Sequence, residues 1–157
     1  MDITINYDYG RERVEGMPLE SLAQFIIAAE GKPASTEVSI SFVDDDRIAE
    51  LNEAYRGKVG STDVLSFECD GYDDDFSVNN EADQVGEIPY ELGDIVVAVD
   101  VAERQTALFG TTLAEEIELL VCHGLLHLCG YDHMVEEEAQ VMEAREDELL
   151  AAWRNSL

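Results

Sequence analysis

The chain has 157 residues, enough for one domain with a substantial core, and 46% of them are hydrophobic, which excludes an intrinsically disordered chain. Its 36 Asp and Glu residues against 9 Lys and Arg residues give a formal net charge of -27, which argues against RNA or DNA held by general electrostatic attraction. No apolar run approaches a membrane span, and the first residues lack the features of a signal peptide, so we expect a cytoplasmic protein with no membrane partner.

Hydrophobic patterning predicts four strands. Apolar residues alternate over residues 2–8 and again over residues 36–43, as is typical of half-buried strands. A third strand is predicted over residues 63–68. The nearly continuous apolar run over residues 92–99 predicts a fourth strand that is buried on both faces.

Five helices are predicted between and after these strands, from helical spacing and end signals. They run from Pro18 to Gly31, from Asp44 through Tyr55, from about Val101 to Leu108, from Thr112 through Leu128, and from Glu136 to Trp153. The fourth begins with the capping box Thr112-x-x-Glu115 and is apolar on most of its surface, so we expect it to be central and buried. Strands and helices interleave without a linker, which predicts one domain over residues 1–157.

Residues 70–91 are predicted to form an acidic, mobile loop. This segment contains Asp73-Asp74-Asp75, and the chain has no Lys or Arg between Lys58 and Arg104. The segment does not match the pattern of an EF-hand, so we expect a solvated loop and not a calcium site.

All three histidines of the chain lie within residues 123–133. His123 and His127 are four residues apart on the predicted fourth helix, so both rings project from one face. Gly130 suits the left-handed end of that helix, and the turn that follows can bring His133 back to the same ion. Imidazole is the commonest zinc ligand, and three protein ligands with one open position are typical of catalytic zinc. We therefore predict one Zn²⁺ held by these three histidines and by water or substrate.

Three other residues beside the histidines could touch the metal. Cys122 and Cys129 are interpreted as small buried apolar residues, because three histidines already complete a catalytic set. An odd total of three cysteines also argues against a disulfide framework. Asp132 could accept a hydrogen bond from a ligand imidazole or cap a helix N-terminus, and these two roles stay open.

The spacing His-x-x-x-His-x-x-Gly-x-x-His is also that of the metzincin peptidases. Those enzymes carry a glutamate directly after the first histidine, where it acts as general base. This chain has Gly124 at that position. A zinc peptidase would therefore need a base displaced to another part of the chain.

The residues around the histidines resemble the signature motif of a known family. His123-Gly124-Leu125-Leu126-His127-Leu128-Cys129-Gly130-Tyr131-Asp132-His133 is similar to the signature of the YbeY-type endoribonucleases, the bacterial rRNA maturation factors. Two further segments resemble blocks of the same family. These are Asn52-Glu53-Ala54-Tyr55-Arg56 with Ser61-Thr62-Asp63-Val64-Leu65-Ser66-Phe67, and Leu92-Gly93-Asp94-Ile95.

The resemblance implies a mixed α/β fold in one domain, with a small four-stranded mixed sheet, about five helices and a metal cleft at the end of the central buried helix. It implies a zinc-dependent, single-strand-specific endoribonuclease that matures the 3′ end of 16S rRNA and takes part in ribosome quality control. Single-stranded rRNA and the small ribosomal subunit are the implied partners, with a ribosomal protein as a further candidate. His123, His127 and His133 resemble the zinc ligands, and Arg56 resembles the catalytic arginine.

The sequence departs from the family pattern near the substrate side. Ser61 and Glu68 stand where the family usually has proline, and the acidic insertion is longer than expected. Arg56 has a rationale of its own, because a guanidinium holds two phosphate oxygens at once. The alternative for Arg56 is a surface arginine paired with a carboxylate such as Glu53.

Two other functions compete with the ribonuclease. The first is a non-catalytic ribosome assembly factor with a structural zinc, which a closed tetrahedron completed by Cys122, Cys129 or Asp132 would favour. The second is a zinc peptidase with a displaced general base. The sequence leaves the oligomeric state open.

Overall fold

A computed structural model describes residues 1–68, 89–131 and 135–157 of the chain. Within these residues, four strands and six helices are interspersed along the sequence. In chain order they are β1 (Asp2–Tyr7), α1 (Arg11–Val14), α2 (Leu19–Ala29), β2 (Thr36–Val43), α3 (Asp45–Arg56), β3 (Val64–Glu68), β4 (Tyr90–Ala98), α4 (Val99–Phe109), α5 (Leu113–Leu128) and α6 (Glu136–Ser156).

The four strands form one mixed sheet in the order β1-β2-β4-β3. β1 is parallel to β2, β2 is parallel to β4, and β3 is antiparallel to β4. The predicted α/β fold with a four-stranded mixed sheet is therefore confirmed. β3 is an edge strand, and this position leaves it beside the end of α5, where the histidines lie.

All five predicted helices are present, and the structure adds the short α1, which the sequence did not reveal. The prediction of a loop over residues 70–91 is wrong at its C-terminal end, because Tyr90 and Glu91 belong to β4. Tyr90 donates its backbone N–H to Ser35 O at 3.1 Å and lies opposite Thr36 in the sheet. Pairing with β2 outweighs the weak strand propensity of an acidic segment. The rest of the predicted loop, up to residue 88, lies outside the described residues.

The helix α5 lies at the centre of the main core, as its apolar surface predicted. It packs against α2, α4 and α6 and against the sheet strands β3 and β4. Its N-terminus carries the predicted capping box, in which Glu115 N–H donates to Thr112 Oγ1 at 3.1 Å and Glu115 Oε1 accepts from Thr112 N–H at 2.9 Å. A smaller apolar cluster on the opposite face of the sheet packs under α3. The C-terminal part of α5 lies against β4, where Gly124 packs on Ile95.

Gly93 in β4 allows β3 and the end of α5 to approach closely. Its φ is +146°, a value that L side chains rarely adopt, and an added Cβ would lie 2.3 Å from Phe67 O and 2.9 Å from Leu128 Cδ2. We expect Gly93→Ala to lower the free energy of unfolding by roughly 2–4 kcal/mol, because backbone strain and overpacking act together. Chemical denaturation measures the change.

Gly16 provides the matched control for this prediction. Nothing lies within 4 Å of an added Cβ at Gly16, so Gly16→Ala should change the free energy of unfolding by less than about 0.5 kcal/mol. Equal stability of the two variants would contradict the close approach at Gly93.

Candidate active site

His123 and His127 lie side by side in the last turns of α5. Their ring centroids are 4.8 Å apart and the ring planes meet at 83°. Both rings line a cleft of about 600 Å³ between the end of α5, the edge strand β3 and the C-terminal end of α3. His133 and Asp132 lie outside the described residues, so the third ligand stays a prediction.

Arg56 lines the same cleft as the two histidines, together with Lys58. The resemblance implies a catalytic arginine at this position, and the fold brings Arg56 to the cleft of His123 and His127, which are distant from it in sequence. Asp63, Ser66 and Glu68 line the cleft from the side of β3. The cleft therefore offers two cations in a chain with few of them.

Arg56 differs from every other arginine of the chain. It makes no ion pair with any of the residues that the structure describes, Glu53 included. The other six arginines all lie within 3.1 Å of a carboxylate oxygen. Their pairs are Arg11–Glu15, Arg13–Asp100, Arg47–Glu50, Arg104–Asp45, Arg145–Glu30 and Arg154–Glu118. The surface ion pair proposed as the alternative for Arg56 is therefore not seen, and its guanidinium can meet a phosphate without first breaking a pair.

Sequence reasoning missed Lys58, which the loop after α3 turns into the cleft. The helix ends at Arg56 and is capped by Gly57, whose φ of +68° suits glycine. Asn52 is 6% exposed, and its side chain donates from Nδ2 to Gly60 O at 3.0 Å. The backbone carbonyl of Asn52 accepts from Lys58 N–H at 3.3 Å. A buried asparagine thus fixes the loop. The available signal was that one of only two lysines follows Arg56 by two positions.

Gly124 faces the sheet and not the cleft. A Cβ at this position would lie 2.9 Å from Ile95 Cγ2, and the Gly124 carbonyl accepts a hydrogen bond from Ser66 Oγ at 3.3 Å. A glutamate could not occupy this tightly packed position. The general base of a metzincin is therefore excluded from its usual place for a structural reason.

Glu146 on α6 contacts the first histidine. Its Oε2 lies 2.6 Å from His123 Nδ1, and the residue is 5% exposed. Sequence reasoning missed this contact among the many acids of the last helix. The signal was position: Glu146 shares the buried stripe of α6 with Met142, Leu149, Leu150 and Trp153, where a charge needs a partner.

Of the two described cysteines, Cys122 is a small buried residue, as interpreted, whereas Cys129 is half-buried. Cys122 is fully buried in the main core, and burial raises the pKa of its thiol to about 12. Burial likewise raises the pKa of Cys129 to about 11. Metals bind the thiolate, so these surroundings do not favour either cysteine as a ligand. Cys69 lies outside the described residues.

The residues present fit a zinc site in their chemistry. Two imidazoles face one cleft, and one of them is held at Nδ1 by a carboxylate, as is usual for zinc-bound histidine. Among residues 1–68, 89–131 and 135–157, no group of three or more His, Cys, Asp or Glu side chains is arranged to hold a metal. His123 and His127 share this cleft, and their role as ligands stays a prediction, as does that of His133, which lies outside the described residues.

In the described part of the chain, no helix combines the length and the apolar character that a membrane crossing needs.

Comparisons with known proteins agree with one another. The profile of the family described as endoribonuclease YbeY matches residues 6–154. An endoribonuclease YbeY of Geobacillus thermodenitrificans is 40% identical over 154 residues, which cover 96% of each chain. One from Macrococcus caseolyticus is 36% identical over 154 residues, with the same coverage. The solution structure of TM1509 from Thermotoga maritima is similar with a TM-score of 0.57 and 27% identity, and the match covers 98% of this chain and 93% of that one.

Proposed function

The chain belongs to the endoribonuclease YbeY family, and from that premise we propose that it is a zinc-dependent endoribonuclease specific for single-stranded RNA. Its proposed role is maturation of the 3′ end of 16S rRNA in the cytoplasm, together with ribosome quality control. The small ribosomal subunit is the proposed partner. One observation carries the proposal: Arg56, an arginine without an ion pair in the described structure, lines the same cleft as His123 and His127.

The unpaired state of Arg56 supports a substrate that carries phosphate. In a chain with 36 acidic residues, six of the seven arginines are already held by carboxylates. An arginine without an ion pair among the described residues can bind a ligand without giving up a carboxylate, and its planar fork suits two phosphate oxygens. Lys58 adds a second, more mobile charge at the same cleft. Local cations can thus bind RNA within a strongly acidic surface.

The residues of the cleft divide the chemistry between them. A zinc ion, when bound, supplies a Lewis acid and lowers the pKa of a bound water to about 7. His123, His127 and His133 would hold it. Arg56 contacts a non-bridging oxygen of the scissile phosphate and stabilises the negative charge that grows there in the transition state. Lys58 contacts a phosphate of the same strand and helps to fix its position.

Cleavage of defined RNAs by the full-length protein tests the proposal. A labelled single strand that spans the mature 3′ end of 16S rRNA should be cut in the presence of zinc, and the same sequence in a duplex should stay intact. A chelator should abolish cleavage and added zinc should restore it, because the metal provides several kcal/mol of charge stabilisation.

Two results would contradict this function. Stoichiometric zinc with binding to the small subunit but no cleavage would favour the non-catalytic assembly factor. Cleavage that survives complete removal of metal would exclude the zinc mechanism. Hydrolysis of peptides is not expected, because Gly124 is packed against Ile95 and leaves no room at this position for the glutamate that acts as general base in a metzincin.

A further inference from the structure

Glu146 is a buried carboxylate whose described hydrogen bond goes to an imidazole. Three glutamates of the chain are buried among the described residues. Glu116 accepts from Thr111 Oγ1 at 2.9 Å, and Glu118 pairs with Arg154 at 2.7 Å. Glu146 instead lies 2.6 Å from His123 Nδ1. The first two contacts stabilise helix ends and helix packing, whereas the third ends at a residue of the cleft.

The placement of Glu146 is not explained by a need for an ion pair within α6. Its neighbour Arg145 turns away to Glu30, at 2.8 Å, and to Glu148. A carboxylate buried beside apolar residues is unfavourable unless it is paired. The side chain of Glu146 is only 7% exposed and that of His123 is 26% exposed, so the pair connects the core with the cleft.

We propose that Glu146 is a positioning residue for His123, which acts by fixing the tautomer and the orientation of that ring; the role in metal binding rests on the proposed function. When Nδ1–H donates to the carboxylate, the lone pair of the neutral ring lies on Nε2, the nitrogen that then coordinates a metal. The carboxylate also makes the imidazole a stronger electron-pair donor to a metal ion. α6 thereby contributes to a site whose described candidate ligands, His123 and His127, lie on α5.

Zinc affinity of the full-length protein tests this role, measured by competition with a chromophoric chelator. Glu146→Ala should bind zinc about 10- to 100-fold more weakly than the wild type. Glu146→Gln keeps an acceptor for Nδ1–H but loses the charge, so its zinc affinity should fall between that of the wild type and that of Glu146→Ala. Glu118→Gln is the matched control, because it also alters a buried carboxylate between α5 and α6, and it should bind zinc as the wild type does.

A second measurement needs no variant and so does not depend on the folding of Glu146→Ala. Nitrogen NMR shifts of the His123 ring in the zinc-loaded wild type should show the metal on Nε2 and a proton on Nδ1. Zinc on Nδ1, or a folded Glu146→Ala with wild-type affinity, would overturn the role of Glu146 while leaving the proposed function intact. A wild type without a zinc site would overturn the proposed function as well, and the two failures are thereby distinguished.

Discussion

Arg56→Lys should lower kcat for cleavage of single-stranded RNA by about 100- to 1000-fold, the usual effect of losing one preorganised donor to transition-state charge. Lysine keeps the positive charge but not the planar fork that holds two phosphate oxygens. Arg56 makes no ion pair within the described residues, so its replacement breaks none there. Zinc content should therefore stay at the wild-type level, and the free energy of unfolding should change by less than about 0.5 kcal/mol.

Arg47→Lys separates this effect from a general loss of arginine on α3. Arg47 lies in the same helix and pairs with Glu50 at 3.0 Å, away from the cleft. Its variant should cleave RNA at the wild-type rate in single-turnover assays. Cleavage by Arg56→Lys within a few fold of the wild-type rate would exclude a catalytic role for Arg56 and favour an ordinary surface arginine.

The sequence predicted most of the fold because the elements carry local signals. Alternation over residues 36–43 and the capping box at Thr112 each specify a structure over a few residues, and the strand and helix were found there. The histidine spacing likewise predicts two rings on one helix face, since a four-residue step nearly completes a turn. The rings do lie 4.8 Å apart.

Features that depend on partners distant in sequence were not predictable. Tyr90 and Glu91 look like the end of an acidic loop until β2 provides the backbone hydrogen bonds. Glu146 looks like one acid among many until the fold places it beside His123. The sequence favours a catalytic Arg56 mainly through the family resemblance, because pairs such as Arg13–Asp100 and Arg104–Asp45 join residues distant in sequence.

The acidic surface also has a consequence that composition alone obscured. A net charge of -27 argued against RNA as a partner. In the structure, carboxylates neutralise most arginines and leave Arg56 and Lys58 at one cleft. An RNA strand that meets general repulsion elsewhere would be bound best where these two cations lie. Charge distribution, more than net charge, thus governs which site a polyanion can use.

His127→Ala should abolish stoichiometric zinc and lower RNA cleavage by about 1000-fold or more, because the metal contributes several kcal/mol to the transition state and each 1.4 kcal/mol is a factor of ten. His127 is only partly buried and lines the cleft, so the variant should fold. Elemental analysis, circular dichroism and the single-strand cleavage assay measure the three quantities. Leu119→Ala, on an exposed part of the same helix, controls for changes in α5 and should keep both zinc and activity.

The combination of results for His127→Ala decides between the two roles of the metal. Loss of zinc and cleavage in a folded protein is the result expected for a catalytic ion, since the fold has its own core of helices around α5. Loss of zinc together with unfolding would instead indicate a structural ion, as in the assembly-factor alternative. A wild type without stoichiometric metal, and a folded His127→Ala that cleaves RNA normally, would together refute the metal site. The histidine cluster would then need another explanation, and Arg56 would be the residue on which the chemistry of the cleft depends.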